Sequence, residues 1–457
     1  MSWLGIDIGT TNTKVCLLPE GRIRTVPTPT DAAALQRETL HLIAEVGDGQ
    51  RIEGVGLSGM AETGVPLGSE LEPLTKLITW RDQPGVDQAA RLAEDIGHQA
   101  LFARTGLRLS AKLPVTTWRW LADTTSFLRR TRLWAGAPDL VLAALTGTYA
   151  THLTHAQRYG VLDLRRRTWD EELLAWGGLD RLPDIAEPFA ITARTTHGVL
   201  PSGTPVVLCG HDHLVGAWAA GVREPGEVAD SLGTSEAVVT PSSAPVLDDV
   251  LRLQGISSGW YADGRRGCAI SGNGAAGGLV EQRLAYFDRD YRWLVEVLDH
   301  VGPPSDHVIA PYPNGRQAPS PDPTPRYDVR GAAADPAEEM RALVDALSYH
   351  ARWMAEEQTR LLGIEWRSTV ALGGPTRLDG WMRRKALASG GRDFAVVHGE
   401  ATAAEGAALM AAEVVSGQPS VPLESQVVKV FPQLVDQWNG EAWHRFHKVV
   451  SEPHRPT

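Results

Sequence analysis

Short runs of consecutive apolar residues alternate along this chain with longer stretches whose apolar positions recur every three or four residues. That alternation is what a layered α/β protein requires. Trp3 to Gly9 and Thr13 to Leu18 read as buried strands joined by a tight polar loop, with a turn following at Glu20-Gly21. Leu35, Leu40, Ile43 and Val46 carry helical spacing, so a helix is expected over Asp31–Val46 with Asp31 as its cap. Ile52 to Leu57 is a further strand, ending in Ser58-Gly59, and helices are expected around Val86–Ile96, Val115–Leu121 and Leu140–Leu145.

The pattern then restarts. Pro205 to Gly210 is a wholly apolar strand that runs into Gly210-His211-Asp212-His213, followed by a small-residue helix over Val215–Ala220. A turn at Glu224-Pro225-Gly226 divides the chain into expected domains 1–225 and 226–457. Val228 to Val239 again reads strand, glycine loop, strand. Its Val228-Ala-Asp230-Ser-Leu-Gly233-Thr234-Ser235 echoes Leu4-Gly-Ile-Asp7-Ile-Gly9-Thr10-Thr11. With the Gly-Thr pairs aligned, Asp7 and Asp230 fall one residue out of register, so only one of them can play the shared role. Ala310 to Arg330 is proline-rich and reads as an extended loop. Asp335 to Leu362 is the longest helical stretch, with Pro336 in its first turn. Thr369 to Leu372 is a strand, Gly373-Gly374 leads to a helix around Trp381–Ala388, and the tail after Val414 is expected to be less regular, fraying over Ser451 to Thr457.

A chain of 457 residues exceeds what one core usually organises, in keeping with two domains. Its net charge of −11 argues against nucleic acid as a partner, since phosphate backbones select basic faces. Cys16, Cys209 and Cys268 are too few and too scattered for a disulfide framework or a metal spacing. The N-terminus enters a strand almost at once, which is unlike a signal peptide, and no run approaches the ~18 apolar residues of a membrane span. A cytoplasmic enzyme without a membrane partner is the expectation.

The candidate chemistry lies in the loops. In Asp7-Ile-Gly-Thr-Thr-Asn-Thr-Lys14, Gly9 permits close backbone approach and Thr10, Thr11, Asn12 and Thr13 offer polar donors. Lys14 adds a point charge, and Asp7 is placed to hold Mg²⁺; together these suit a phosphate chain. Gly233-Thr234-Ser235 gains meaning as a second clamp opposite the first. Asp212, at the carboxyl end of an apolar strand, is the candidate general base for phosphoryl transfer to a hydroxyl. His211 and His213 flank it as a lone His-x-His, a weak metal signal without further ligands nearby. Gly373-Gly374 suits either close approach of a nucleobase or an ordinary strand-to-helix turn. Ser271 to Gly278 either donates N–H groups to phosphate or permits tight packing.

Taken in order along nearly the whole chain, these segments resemble the FGGY carbohydrate kinases, whose fold is shared with actin, hexokinase and Hsp70. The resemblance implies two ribonuclease H-like domains facing each other across a nucleotide and sugar cleft. Asp7 to Lys14 is similar to the family's first phosphate loop, Gly233-Thr234-Ser235 to its second, and Gly210-His211-Asp212 to the segment with the catalytic aspartate. Gly373-Gly374 with Trp381 is similar to the adenosine motif, and Glu400 to Met410 to the helix after it. By the same resemblance, ATP would contact Thr10, Thr11, Asn12, Lys14, Gly233, Thr234, Gly373 and Gly374, with Mg²⁺ at Asp7. The sugar would meet Met60, Ala61, Glu62, Trp80, Asp82 and His211. Trp80 as core and Glu62 as a salt-bridged carboxylate stand beside those roles. Departures lie at Met60-Ala61-Glu62, where xylulose kinases have Gln-Met-His and glycerol kinases an Arg-Glu pair. Gln83-Pro84 stands where an arginine usually follows, and Leu378 where an asparagine is common. A ketopentose such as xylulose is the default acceptor, with a deoxy-ketose, an aldonate or a polyol as alternatives. Homodimers are common in the family. A non-catalytic, regulatory ATP-binding protein of the same fold is the other reading.

Overall fold

Buried strands and amphipathic helices form where the apolar pattern places them. Strands β1 (Ser2–Ile8), β2 (Asn12–Leu18), β3 (Arg22–Pro27), β4 (Ile52–Gly59) and β5 (Pro205–His211) make one sheet in the order β3-β2-β1-β4-β5, with Ala193–Arg194 on its edge. β6 (Glu227–Leu232), β7 (Glu236–Ser242), β8 (Gly267–Asn273), β9 (Ser368–Leu372) and β10 (Asp393–Val397) make a second in the order β8-β7-β6-β9-β10. In each, three antiparallel strands continue into two parallel ones, so the sequence echo becomes a topological one. The two-domain α/β architecture is thereby observed. This computed structural model describes residues 1–196, 198–327, 329, 330, 335–399 and 401–452.

Local chemistry sets the helix ends. Asp31 caps α1 (Ala32–Gly47) by accepting from the Ala34 N–H at 2.8 Å. In α2 (Ala137–Thr146) the wholly buried Asp139 accepts from the Gly136 N–H at 2.9 Å and from the Tyr159 hydroxyl at 3.3 Å. α3 (Asp212–Ala219) begins at Asp212, three residues earlier than the apolar spacing indicates. α4 (Pro336–Leu362) runs 27 residues from the Asp335 cap, and α5 (Asp379–Ala388) follows β9 through a short 3₁₀ turn.

α6 (Thr402–Ser416) returns from the second sheet to pack on the first. The approach requires glycine: a Cβ on Gly5 would stand 1.8 Å from the Ala404 carbonyl oxygen, and one on Gly56 1.9 Å from that of Ala407. The same helix meets α3, where a Cβ on Gly406 would stand 2.8 Å from the Val215 carbonyl. Small residues thus let one helix join both halves directly behind the cleft. Glu400, the expected start of this segment, lies outside the described residues, as do residues 453–457 of the tail.

The tail corrects an expectation. Instead of losing regularity after Val414, the chain forms α7 (Pro432–Asn439) and α8 (Glu441–Ser451). Trp438, Ala442, Phe446 and Val450 recur every fourth residue and are all buried. Trp438 and Phe446 each stand 5.5 Å, ring to ring, from Tyr349 of α4. One apolar residue per turn between charged ones gives a narrow stripe, which a search for broad amphipathic faces overlooks. All three cysteines are free and buried, and no helix among the described residues is long and apolar enough to cross a membrane.

Asp139 carries a pH prediction. Burial pushes its carboxyl from 3.8 up to about 7. A raised carboxyl keeps its proton in the folded chain where the unfolded chain has lost it. Its contribution is therefore full at low pH and is lost as pH rises through about 7. Asp139→Asn is expected to flatten the fall in melting temperature from about pH 4 to pH 7, read by calorimetry. An unchanged slope would assign the dependence to other groups.

Candidate active site

Both glycine-threonine loops, the Asp212 segment and the Met60-Ala61-Glu62 turn converge on one cleft of about 510 Å³ between the sheets. The β1–β2 loop closes tightly: the Gly9 N–H donates to the Asn12 carbonyl at 3.1 Å, and the Thr28 hydroxyl to the Gly9 carbonyl at 2.7 Å. Thr10, Thr11, Asn12 and Lys14 line the cleft. Opposite, the Gly233 N–H donates to the Ser235 carbonyl at 2.7 Å, and the Gly278 N–H braces the loop by donating to the Thr234 carbonyl at 2.9 Å. Gly277 must be glycine, since a Cβ there would stand 2.3 Å from the Gly233 carbonyl. The Ser271–Gly278 segment therefore packs tightly at its helix end, while Ser271, Gly272, Asn273 and Gly274 line the cleft.

Asp212 owes its position to a bulge. Pairing of β5 with β4 slips between Leu208 and Gly210, and Gly210 sits at φ 103°. A Cβ there would strike Thr154 Oγ1 at 2.1 Å. Bulges bend a strand and re-aim the residues beyond the bend, and here the residue re-aimed is the first of α3. The His213 N–H donates to Asp212 Oδ1 at 2.7 Å, and His211 Nε2 stands 3.3 Å from the same oxygen. Behind them the His211 N–H donates to the Thr154 hydroxyl oxygen at 2.9 Å. Burial, followed by the nearby His213, Arg158, His155 and Lys112, holds the His211 imidazole well below its usual range and so neutral.

The echo resolves on geometry. Asp7 and Ser231, each two residues before its Gly-Thr pair, are the matching positions; Asp7 lines the cleft and Ser231 Oγ pairs with His213 Nδ1 at 2.9 Å. Asp230 turns the other way, onto Lys385 at 2.7 Å. Period-two pleating makes that choice.

Asp7 is buried, with the Ser58 hydroxyl 3.4 Å from its Oδ1. Burial first, and the charge of Asp212 second, push its carboxyl up to about 7, against the pull of Lys14 and Ser58. Two carboxylates repelling each other in a half-dry cleft form an oxygen donor set suited to a hard divalent cation such as Mg²⁺. His211, Asp212 and His213 also offer one ligand atom each within 4.8 Å of one another. However, His211 already pairs with Asp212, and His213 with Ser231.

Met60, Ala61, Glu62, Trp80 and His211 all line the cleft. Trp80 Nε1 donates to Thr10 Oγ1 at 2.8 Å, tying the Thr79–Asp82 loop to the first glycine-threonine loop. Glu62, at φ 53°, accepts from Arg158 Nε at 2.9 Å. Burial alone would raise its carboxyl, but Arg158 and Lys112 together hold it below the usual range. Three expected site residues are not among those lining the cleft. Asp82 accepts from the Thr79 N–H at 2.6 Å and its hydroxyl at 2.8 Å, shaping its own turn. Gly373, at φ 104°, backs onto the Leu232 carbonyl, and Gly374 faces open space beside it. Conversely, Arg108, Lys112 and Arg158 line the cleft without having been singled out in the sequence. Single cations in ordinary segments give no local signal.

Known proteins share this fold. Residues 32–219 match the N-terminal domain and residues 228–413 the C-terminal domain of the FGGY family of carbohydrate kinases. A gluconokinase from Bacillus subtilis is 24% identical over 83% of this chain and 81% of its own. Ligand-bound xylulose kinase from Lactobacillus acidophilus superposes with a TM-score of 0.87 at 20% identity, covering 98% of this chain and 97% of that one. Glycerol kinase from Plasmodium falciparum, solved with ADP, gives 0.86 at 17% identity, covering 99% and 98%. With both domain models matched in order across one continuous cleft, the chain belongs to the FGGY family of carbohydrate kinases.

Proposed function

We propose that this kinase transfers the γ-phosphoryl group of ATP to a hydroxyl of a small polyhydroxy acceptor, with Asp212 as general base. The observation that carries the reading is the meeting of Asp212 with both glycine-threonine loops in one cleft. Thr10, Thr11, Asn12 and Lys14 from domain 1–225 and Gly233 and Thr234 from domain 226–457 hold the phosphates from two sides. Gly373-Gly374, behind the second loop, lies against the adenosine end. Asp7 would hold Mg²⁺, which when bound neutralises phosphate charge.

In the step itself the acceptor oxygen attacks the γ-phosphorus while the bond to the β-bridging oxygen breaks. ADP leaves, and the hydroxyl proton passes to Asp212. The backbone N–H of His213 on Oδ1 fixes the carboxylate's orientation. Closure of the two sheets excludes water and limits ATP hydrolysis. Met60, Ala61, Glu62, Trp80 and His211 contact the acceptor.

The names of the relatives offer a ketopentose such as xylulose, a polyol and an aldonate as acceptors. ADP release with Mg²⁺-ATP against ketoses, polyols and aldonates tests the reading. Acceptor-dependent ADP release with a phosphorylated product is the expected result. ATP binding without product across the panel would favour the regulatory reading instead.

A further inference from the structure

The acceptor side of the cleft holds more positive charge than its own carboxylate balances. Arg108, Lys112 and Arg158 line the cleft, and Arg158 and Lys112 flank the Glu62 carboxylate. Arg158 binds Glu62 Oε1 through Nε at 2.9 Å and through its Nη2, while Lys112 Nζ stands 3.7 Å from the same oxygen. Arg108 donates to the Gln317 backbone carbonyl at 2.9 Å and makes no ion pair among the described residues. Glu62 is thus shared between Arg158 and Lys112, so the three cations outnumber the one carboxylate beside them. Charges partly withdrawn from water favour an opposite charge beside them.

The surroundings bear this out. Glu62 pulls the Lys112 ammonium up, yet burial, Arg158 and Arg108 outweigh it and hold the group below its usual range. Glu62 also keeps a left-handed backbone at φ 53°, a conformation a non-glycine residue holds only where its surroundings enforce it. The nucleotide phosphates do not account for the cluster, because the loops facing them bring their own donors in Thr10, Thr11, Lys14 and Thr234. Lys112 and Arg158 instead act on His211, beside the reacting edge.

We infer that the acceptor is a polyhydroxy acid, and that Lys112 and Arg108, braced by the Arg158–Glu62 pair, hold its carboxylate while a hydroxyl is presented to Asp212. The inference deepens the kinase reading and rests on it. A neutral ketopentose offers nothing to set against the two cations, whereas one carboxylate gives the arginine fork and the ammonium a common partner.

Matched acceptors separate the charge from the rest of the molecule. Gluconate and sorbitol differ only at C1, carboxylate against hydroxymethyl, and xylonate, xylitol and xylulose repeat the comparison one carbon shorter. The expected result is kcat/KM on the order of 10- to 100-fold higher for the acids. In Lys112→Met, and separately in Arg108→Gln, KM for gluconate should rise on the order of 10-fold or more, with KM for ATP unchanged. Turnover of the neutral member as fast as the acid would overturn the inference and leave the kinase reading standing. A variant that raises KM for ATP instead would assign the cations to the nucleotide and also overturn it. Silence on every acceptor, from folded protein that binds ATP, would bring down the kinase reading and the inference together.

Discussion

Asp212→Asn is expected to lower kcat by about 10²- to 10⁴-fold while leaving the fold and ATP binding in place. The amide oxygen can still accept from the His213 N–H, now 2.7 Å from Oδ1, so the local geometry survives. What disappears is an acceptor for the hydroxyl proton. Because the charge of Asp212 also helps push Asp7 up to about 7, the same substitution should lower the Asp7 pKa. Steady-state kinetics with the acceptor found in the ADP-release panel, alongside ATP titration by calorimetry, separates chemistry from binding. Turnover equal to the unsubstituted enzyme would remove Asp212 from the reaction.

The second large effect lies behind the second loop. Lys385 Nζ reaches Asp230 Oδ2 at 2.7 Å and Glu236 Oε1 at 2.5 Å, with all three side chains almost completely buried. Asp230 sits on β6 and Glu236 opens β7, so this lysine of α5 ties down the hairpin that carries Gly233-Thr234-Ser235. Burial would lower the Lys385 pKa, but Asp230 and Glu236 outweigh it and keep the ammonium charged. Burial pushes the Glu236 carboxyl up to about 8, against the pull of Lys385. Removing the cation leaves a carboxylate buried without a partner, at a cost of about 3–5 kcal/mol. Lys385→Met should therefore shift the urea unfolding midpoint sharply downward. Adding Asp230→Asn should restore part of the loss, because no unpaired charge remains. A midpoint unmoved in the single variant would mean that the network contributes nothing.

Both residues show where legibility ended. Asp212 could be found in the sequence because an apolar strand, a glycine and a polar residue stand together within a few positions. The two glycine-threonine loops were legible for the same reason: each encodes its backbone freedom and its donors in one short segment. Lys385 could not be found, since a lysine on a helix ordinarily faces water. Lys112 and Arg158 lie far apart in the sequence and meet at Glu62. Asp82 reads as a ligand in the sequence, whereas in the structure its carboxylate accepts from the Thr79 N–H and hydroxyl three residues away and is not among the groups lining the cleft. The Trp438–Val450 stripe was present in the sequence, but its helices are stabilised by Tyr349 of α4, which local spacing does not reveal.

The sequence by itself determined the layered α/β class, the doubled strand–loop–strand unit and the positions of Asp7, Asp212 and both glycine-threonine loops. These are encoded by hydrophobic period and by glycine, whose effects act over a few residues. Only the tertiary structure decided that Ser231 pairs with His213 while Asp230 turns onto Lys385, and that α6 closes on Gly5 and Gly56 to join the two halves. It alone brought Lys112 and Arg158 to Glu62 and Arg108 into the same cleft. Those outcomes depend on which side of a pleat a residue occupies and on charges brought together from distant segments, and electrostatic balance is a property of the packed site, not of any stretch of chain.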